Sequence, residues 1–381
     1  VAKCRARELR IDSPEGGRSC LVLDERIKLI TRKGLAAPER LLMDAAPSEL
    51  AGLRIACGLD RSGLVALALG AVEPSAELSD FQLDAYRAEK IERTFAEHEV
   101  VGRVVLGADL SELGEGFDLL FLPFPNTFER QLGREIIEQA ASVLRPDGAL
   151  YAATDGKDEW LRGVLKDVMD GATRVGGKRS KGFVWKARPK CKASAARNHA
   201  RPVELELNEV SLSLTSRPGV FGYGRIDSGT RALLERIELE GQERILDLGC
   251  GYGPLGLYAA KKAPEGSVVL VDSHARATAL AEQNRLANGI ENAEVLLRAN
   301  AENLGPEDFD LVLANPPYFS NLRIAAMFVE RAVQRLKPEG RLLMVAKAGE
   351  KHRRVMADRF AEVTLIERRG YGVLEGRRPK R

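Results

Sequence analysis

The sequence predicts an α/β protein made of two tandem copies of one doubly wound, mainly parallel sheet. Three observations predict it. In the C-terminal half, short apolar strands alternate with helical stretches, the pattern of a parallel sheet covered on both faces. Two motifs there, Arg244-Ile-Leu-Asp-Leu-Gly-Cys-Gly-Tyr-Gly-Pro-Leu-Gly256 and Asp310-Leu-Val-Leu-Ala-Asn-Pro-Pro-Tyr318, each carry an apolar strand into a tight tip. A degraded echo of both lies in the N-terminal half, at a near-constant distance.

The C-terminal elements follow in order. Arg244–Leu248 reads as a buried strand. Pro254–Lys262 reads as a helix whose first position is proline, where a missing N–H costs nothing. Val268–Val271 is a second strand, and Ala275–Asn288 a helix ended by Gly289. Glu294–Leu297 and Leu311–Leu313 are further strands. Ile324–Leu336 is a helix closed by Lys337-Pro-Glu-Gly340, and Arg341–Ala346 is a fifth strand. In such sheets ligands bind beyond the C-terminal strand ends, where both motifs terminate.

Four landmarks carry the echo. Cys57 aligns with Cys250 at 193 positions; Asp80 with Asp272, Asp118 with Asp310, and Leu144 with Leu336 each at 192. A repeat of this length is a whole domain rather than a solenoid unit. In this alignment Arg54, Ala56 and Asp60 stand at the places of Asp247, Gly249 and Gly253, and Pro123-Phe-Pro-Asn126 replaces Asn315-Pro-Pro-Tyr318. The first copy is expected to keep the fold and lack the activity; binding of another small ligand is the alternative. The expected division is 1–189, a degenerate non-catalytic domain; 190–201, a basic linker rich in Ala, Ser, Lys and Arg; and 202–381, the active domain. Phe183–Lys186 reads as a last strand of the first domain. The opening residues, to about residue 40, do not repeat cleanly.

Composition sets limits. The 381 residues suit two domains, with the apolar and charged content of a soluble globular chain. No apolar run reaches a membrane span, and no apolar signal core follows the first residues, so a cytoplasmic setting is expected. The five cysteines (Cys4, Cys20, Cys57, Cys191, Cys250) show neither a disulfide framework nor zinc spacing. His98, His199 and His352 lack ligand spacing, and no metal is expected. The net charge of +3 is small, but basic residues cluster from Lys178 to Arg201 and again at Arg368, Arg369, Arg377, Arg378, Lys380 and Arg381. Such patches suit phosphates or serve only as a solubilising linker and tail.

The glycine motif lets backbone approach a ligand, because glycine adopts torsions closed to other residues. The helix start then offers N–H groups to an anion, here the methionine carboxylate of S-adenosylmethionine. Asp272, ending the second strand, can accept both ribose hydroxyls. Read in isolation, Gly251–Gly256 also fits the dinucleotide pattern. Asp247 before it and the Asn-Pro-Pro-Tyr tip after it favour the methyl donor. At that tip, prolines stiffen the backbone. The Asn315 side-chain oxygen and the Pro316 carbonyl can accept the two hydrogens of a planar amino group and hold its nitrogen in line with the methyl sulfonium. Tyr318 can stack on the substrate ring, and a paired base has to be flipped out. His274 and Lys347 lie near this edge in sequence; a helix-start histidine and a solvated lysine are the plain readings.

With these motifs the chain resembles the bacterial 16S ribosomal RNA guanine-N2 methyltransferases, the small-subunit methyltransferase C family. Members join a degenerate methyltransferase domain to an active one. They also carry a Pro-Gly-Val-Phe segment ahead of the glycine motif, here Arg217-Pro-Gly-Val-Phe-Gly-Tyr-Gly-Arg-Ile-Asp227. The resemblance covers roughly residues 40–375. It implies two tandem Rossmann-like class I methyltransferase domains from an internal duplication, S-adenosyl-L-methionine as cofactor, and methyl transfer to guanine N2 of 16S rRNA. It further implies rRNA in the 30S subunit or an assembly intermediate as partner, and a monomer with a pseudo-dimeric domain pair. The candidate catalytic residues are Asn315, Pro316, Pro317 and Tyr318. Candidate cofactor residues are Phe221, Thr230, Asp247, Gly249, Cys250, Gly251, Gly253, Asp272, Ser273, Asn300, Ala301 and Asn315. Phe221, Asp227, Tyr318 and Phe319 are candidates for the substrate, with Phe221 on a mobile flap. One departure stands out: the family tip is Asn-Pro-Pro-Phe followed by His, whereas Tyr318 and Phe319 stand here. Asn-Pro-Pro-Tyr is also the form in adenine-N6 and release-factor glutamine methyltransferases. The duplication favours the rRNA enzyme, with its large-subunit sister close behind.

Overall fold

The structure, a computed structural model, describes residues 7–12, 18–23, 37–177, 182–190, 197–300, 304, 308–317 and 322–380. The chain divides into two compact units, Val1–Asn198 and His199–Arg381. The division falls inside the segment expected to be a linker, of which residues 191–196 lie outside the described residues, as do Lys178 and Lys181.

In the first unit, β1 (Arg7–Asp12) and β2 (Arg18–Leu23) form an antiparallel pair. After α1 (Ala37–Ala45), strands and helices alternate: β3 (Arg54–Gly58), α2 (Leu64–Val72), β4 (Glu77–Gln82), α3 (Ala85–Glu97), β5 (Gly102–Leu106). Then come β6 (Phe117–Pro123), α4 (Arg130–Val143), β7 (Leu144–Thr154), α5 (Glu159–Val168), β8 (Asp170–Gly176) and β9 (Phe183–Arg188). The seven-stranded sheet runs β5-β4-β3-β6-β7-β9-β8, parallel up to β7 and antiparallel beyond.

The second unit opens with an antiparallel hairpin, β10 (Arg201–Leu207) and β11 (Val210–Ser216), and a short helix, α6 (Ser228–Leu234). Next are β12 (Arg244–Leu248), α7 (Pro254–Lys262), β13 (Ser267–Asp272), α8 (Ala275–Ala287) and β14 (Ala293–Leu297). β15 (Phe309–Ala314), α9 (Arg323–Arg335), β16 (Leu336–Ala346), α10 (Gly349–Ala357), β17 (Phe360–Arg368) and β18 (Tyr371–Pro379) complete it. The order β14-β13-β12-β15-β16-β18-β17 repeats that of the first unit. The expected α/β class, with two mainly parallel doubly wound sheets, is borne out.

Strand alternation divides the core. Ile245, Leu311, Leu313, Leu343 and Val345 pack with Leu257 and Tyr258 of α7 and Leu280 of α8. Their neighbours Leu246, Leu248, Val312, Leu342 and Met344 pack with Val329 and Val333 of α9 and Met356 of α10. Period-2 alternation thus feeds both faces of the buried sheet.

The two units share details that composition alone would not produce. Arg244 N–H donates to Asp310 Oδ2 at 2.8 Å while its guanidinium lies 5.0 Å over Phe309. Arg54 N–H donates to Asp118 Oδ2 at 2.8 Å, with its guanidinium 4.9 Å over Phe117. Across β6–β7 and β15–β16 the 192-residue offset holds, including one shared irregularity in the two ladders. At the glycine motif it does not. Arg54 pairs with Glu77 as Arg244 pairs with Ser267, so the offset there is 190. Cys57 therefore takes the place of Asp247, Leu59 that of Gly249, Gly63 that of Gly253, and Gln82 that of Asp272. Matching cysteines and aspartates in the sequence drew the expected alignment two or three positions off. Ladder hydrogen bonds set the true register.

Three further differences are topological. Leu336–Gly340 begins β16 rather than forming a separate turn. The hairpin β17–β18 and helix α10 were not expected, and β18 pairs antiparallel with β16.

Candidate active site

The site forms at the C-terminal ends of β13, β12 and β15, three adjacent strands of the sheet. Gly249, Gly251 and Gly253 carry φ of 74°, 59° and 93°, the left-handed region where side chains are strained. The turn is held internally. Gly249 and Cys250 N–H donate to the Val271 carbonyl, and Gly251 N–H donates to Asp272 Oδ2 at 2.9 Å. Gly253 N–H donates to the Cys250 carbonyl, and Gly256 N–H to Asp247 Oδ2 at 2.7 Å. The expected row of N–H groups offered to an anion is thus largely engaged within the protein. What faces outward is a rigid cradle: a Cβ on Gly251 would find no atom within 4 Å.

Asp247 is fully buried beneath this turn, and its Oδ1 has no hydrogen-bond partner. Burial, with a smaller contribution from the Asp272 charge, pushes its pKa up to about 7 against the lowering effect of the Gly256 N–H. Cys250 is buried as well, and burial raises its thiol pKa. Asp272 accepts from Gly251 through Oδ2 and from the His274 N–H through Oδ1 at 2.9 Å. A carboxylate oxygen has a second lone pair, so both can still accept a hydroxyl. His274 is the N-cap of α8, its Nδ1 accepting from Ala277 N–H, and Ser273 lies between the two. Asn300 is half-buried after β14.

Across the cleft, Asn315 follows β15 and is half-buried, Pro316 is buried and Pro317 is exposed. Asn315 Nδ2 donates to Thr230 Oγ1 at 3.0 Å. Thr230 is buried in α6, and Asp227 is that helix's N-cap, accepting from Gly229 and Thr230 N–H at 2.8 and 3.4 Å. The structure therefore brings together Asp227, Thr230 and Asn315 on one side and Asp247, Asp272 and the glycines on the other. Ala301, Tyr318 and Phe319 lie outside the described residues. Lys347 is exposed, 5.9 Å over the Tyr371 ring.

Phe221 is 56% exposed. The segment expected to be a flap is tethered along its length. Buried Arg276 donates to the Pro218 carbonyl at 2.8 Å, Gly224 N–H donates to Ser216 Oγ, and Tyr252 O–H donates to the Arg225 carbonyl at 3.0 Å.

Sequence reasoning missed this scaffold. Asn284 bonds both backbone groups of Thr215 and reaches the Tyr252 carbonyl; Asn288 bonds both backbone groups of Ser213. Their i, i+4 spacing on α8 was the available signal. For Arg276 there was none: an arginine in a first helical turn reads as solvated.

Comparison with known proteins agrees with this geometry. Residues 211–375 match the family model for the methyltransferase small domain. A ribosomal RNA small subunit methyltransferase C of Pseudomonas syringae pv. syringae is 31% identical over 185 residues, 47% of this chain and 55% of that one. Its counterpart from P. syringae pv. tomato is 37% identical over 151 residues, 39% of this chain and 45% of that one. The chain spans about half the length of the curated relatives it matches. Across nearly the whole chain, the fold is that of a 16S rRNA N2 methyltransferase of T. thermophilus solved with AdoMet and guanosine. The TM-score is 0.75, identity 23%, and coverage 98% of both chains. The kinship expected from the motifs and the tandem fold are borne out.

Proposed function

We propose that this protein transfers the methyl group of S-adenosylmethionine to the exocyclic N2 of a guanine in 16S rRNA, with the C-terminal methyltransferase small domain doing the chemistry. The observation that carries this reading is the pairing of the glycine cradle and Asp272 with Asn315 held on Thr230. The cofactor supplies a methyl group already activated on a sulfonium. The residues present fit it: Asp272 for the ribose hydroxyls, and the open face of the turn around Gly251 for the methionine end. Thr230 engages the amide nitrogen of Asn315, which sets the direction of the amide oxygen. That oxygen and the Pro316 carbonyl accept the two amino hydrogens of guanine, favouring a pyramidal nitrogen aimed at the methyl group. Exposed Phe221 supplies stacking surface for a flipped base, and Tyr318 and Phe319 are the aromatic residues that follow the tip in sequence.

The first unit is non-catalytic in this reading. Asp60 accepts from the Gly63 and Val65 N–H groups at 2.6 and 3.1 Å, so its own carboxylate caps α2 at the corresponding turn. Leu59 takes φ 62° where the second unit has Gly249. Gln82, in the Asp272 place, donates to Asp80 Oδ1 and the Asp60 carbonyl. The protein acts as a cytoplasmic monomer on the 30S subunit or an assembly intermediate; in keeping with this, no described helix is long and apolar enough to cross a membrane.

The test offers labelled S-adenosylmethionine with unmethylated small subunits, large subunits and free release factor, then digests the products. Label in N2-methylguanosine from small subunits is expected, with one cofactor bound per chain, and Asn315→Ala abolishes transfer while keeping cofactor binding. Label in N6-methyladenosine, in methylglutamine or from large subunits only would overturn the reading.

A further inference from the structure

Beside α6 the second unit has a cavity of ≈ 400 Å³, lined by Arg225, Arg231, Arg369, Ser228 and Glu204 among others. Its arginines come from three separate stretches of chain: the loop after β11, helix α6, and the turn between β17 and β18. Glu235 gathers the charge behind it. Arg369 bonds Glu235 Oε1 through Nε and Nη2 at 2.9 and 2.7 Å, Arg368 bonds Oε2, and Arg231 Nε lies 3.6 Å away. The guanidinium groups of Arg369 and Arg368, Arg369 first, pull the Glu235 pKa down to about 2, against the effect of its partial burial. The lining itself carries three arginines and one carboxylate, Glu204, which accepts from Ser213 Oγ at 2.8 Å.

The placing of Arg369 is a second, independent sign. Arg369 and Gly370 form the two-residue tip between Arg368 and Tyr371, with φ of 52° and 76°. Such tips favour Asn, Asp or Gly, and a long side chain at positive φ is uncommon. The position keeps an arginine at a conformational cost, a pattern that accompanies function. The Arg225 backbone is likewise fixed, its carbonyl accepting from buried Tyr252 and its N–H donating to the Gly222 carbonyl, while its side chain is exposed. Arg231 follows directly on Thr230, so the same short helix that holds Asn315 with one side chain presents this cavity with the next.

We propose that this cavity seats a backbone phosphate of the RNA strand next to the target nucleotide, so that Arg225, Arg231 and Arg369 hold the strand while the base enters the cleft. Guanidinium forks match phosphate oxygens two at a time, and a nucleotide flipped from its stack needs its flanking backbone fixed. The proposal rests on RNA as the substrate of the methyltransferase.

The test uses the full chain and unmodified, transcribed 16S rRNA. Filter binding is measured across a potassium chloride series for wild type, Arg225→Gln and Arg369→Asn, the last keeping a residue the turn favours. Cofactor affinity and thermal midpoint are followed as folding controls. Each variant is expected to weaken RNA binding several-fold at low salt and to flatten the salt dependence by about one unit of slope, with cofactor affinity unchanged. Unchanged RNA affinity and slope in both variants would overturn the seat. So would Arg225-dependent binding of inorganic phosphate at matched ionic strength that leaves RNA affinity unchanged, which would reassign the cavity to a small free anion. Methyl transfer to unmethylated small subunits separates the two readings. Transfer by wild type with variants that bind normally sinks the phosphate seat alone; an arginine-dependent slope without any transfer sinks the function alone.

Discussion

The hydroxyl of Thr230 accepts a 3.0 Å hydrogen bond from the side-chain amide nitrogen of Asn315, 85 residues away in sequence. An asparagine is useful at a methyl-transfer tip only if its carbonyl oxygen faces the amino group, and the Thr230 hydroxyl takes up the nitrogen end of the amide. Replacing Thr230 by valine keeps the volume and removes the acceptor. The expected result is a fall in kcat of about tenfold, the worth of one buried hydrogen bond, with cofactor Kd little changed and Thr230→Ser largely restoring the rate. A loss in cofactor affinity with kcat intact would place Thr230 on the cofactor instead.

Gly256 sits where α7 crosses β12 and β13. A Cβ there would lie 2.6 Å from Leu270 Cγ and 2.9 Å from Asp247 Oδ2, and the helix backbone would have to shift. Gly256→Ala is expected to cost about 1–3 kcal/mol of stability in the second unit and to weaken cofactor binding. Calorimetric unfolding and cofactor titration check it; an unchanged midpoint would mean the helix moves at no cost.

Asp247 makes the second unit sensitive to pH. Its folded pKa of about 7 stands above the ordinary 3.8. The folded unit therefore keeps a proton that the unfolded chain gives up at lower pH. That contribution is fully present below about pH 4 and is lost as pH rises through 7, on the order of 4 kcal/mol in total. Asp247→Asn keeps an oxygen for the Gly256 N–H and cannot ionise. Its stability is expected to vary less than wild type between pH 5 and 8, as measured by calorimetry; parallel pH profiles would show that Asp247 is not the titrating group.

Asp80 has the same sign in the first unit. It is fully buried, its Oδ2 has no partner, and burial together with the nearby Asp60 charge raises its pKa well above the usual carboxylate range. Asp80→Asn still accepts the Gln82 amide hydrogen and removes the charge. The expected gain at pH 8 is about 1–3 kcal/mol, shrinking as pH falls and the wild-type carboxyl becomes neutral. Both tryptophans, Trp160 and Trp185, lie in the first unit, so tryptophan fluorescence follows this unit alone. A lower midpoint at pH 8 would show that the carboxylate is stabilising.

Much of the second unit was legible because its signals are local. Pro254–Lys262 forms the helix that its proline start and spacing indicate, and β12, β13 and β15 stand where short apolar runs were bounded by glycine or proline. The positive φ values at Gly249, Gly251 and Gly253 follow from glycine itself. The C-terminal hairpin was less legible because β17 is half exposed and rich in charge, a sequence that reads as surface until β18 pairs with it.

The sequence by itself determined the duplicated α/β architecture, the glycine turn and the rigid Asn-Pro-Pro tip, since each depends on residue types at short spacing. Only the tertiary structure decided which residues meet. It placed Thr230 on Asn315, put Gln82 rather than Asp80 in the Asp272 place, and gathered Arg231, Arg368 and Arg369 on Glu235. Strand register and long-range side-chain pairing are fixed by ladder hydrogen bonds and packing between elements far apart in the chain, and neither leaves a mark in local composition.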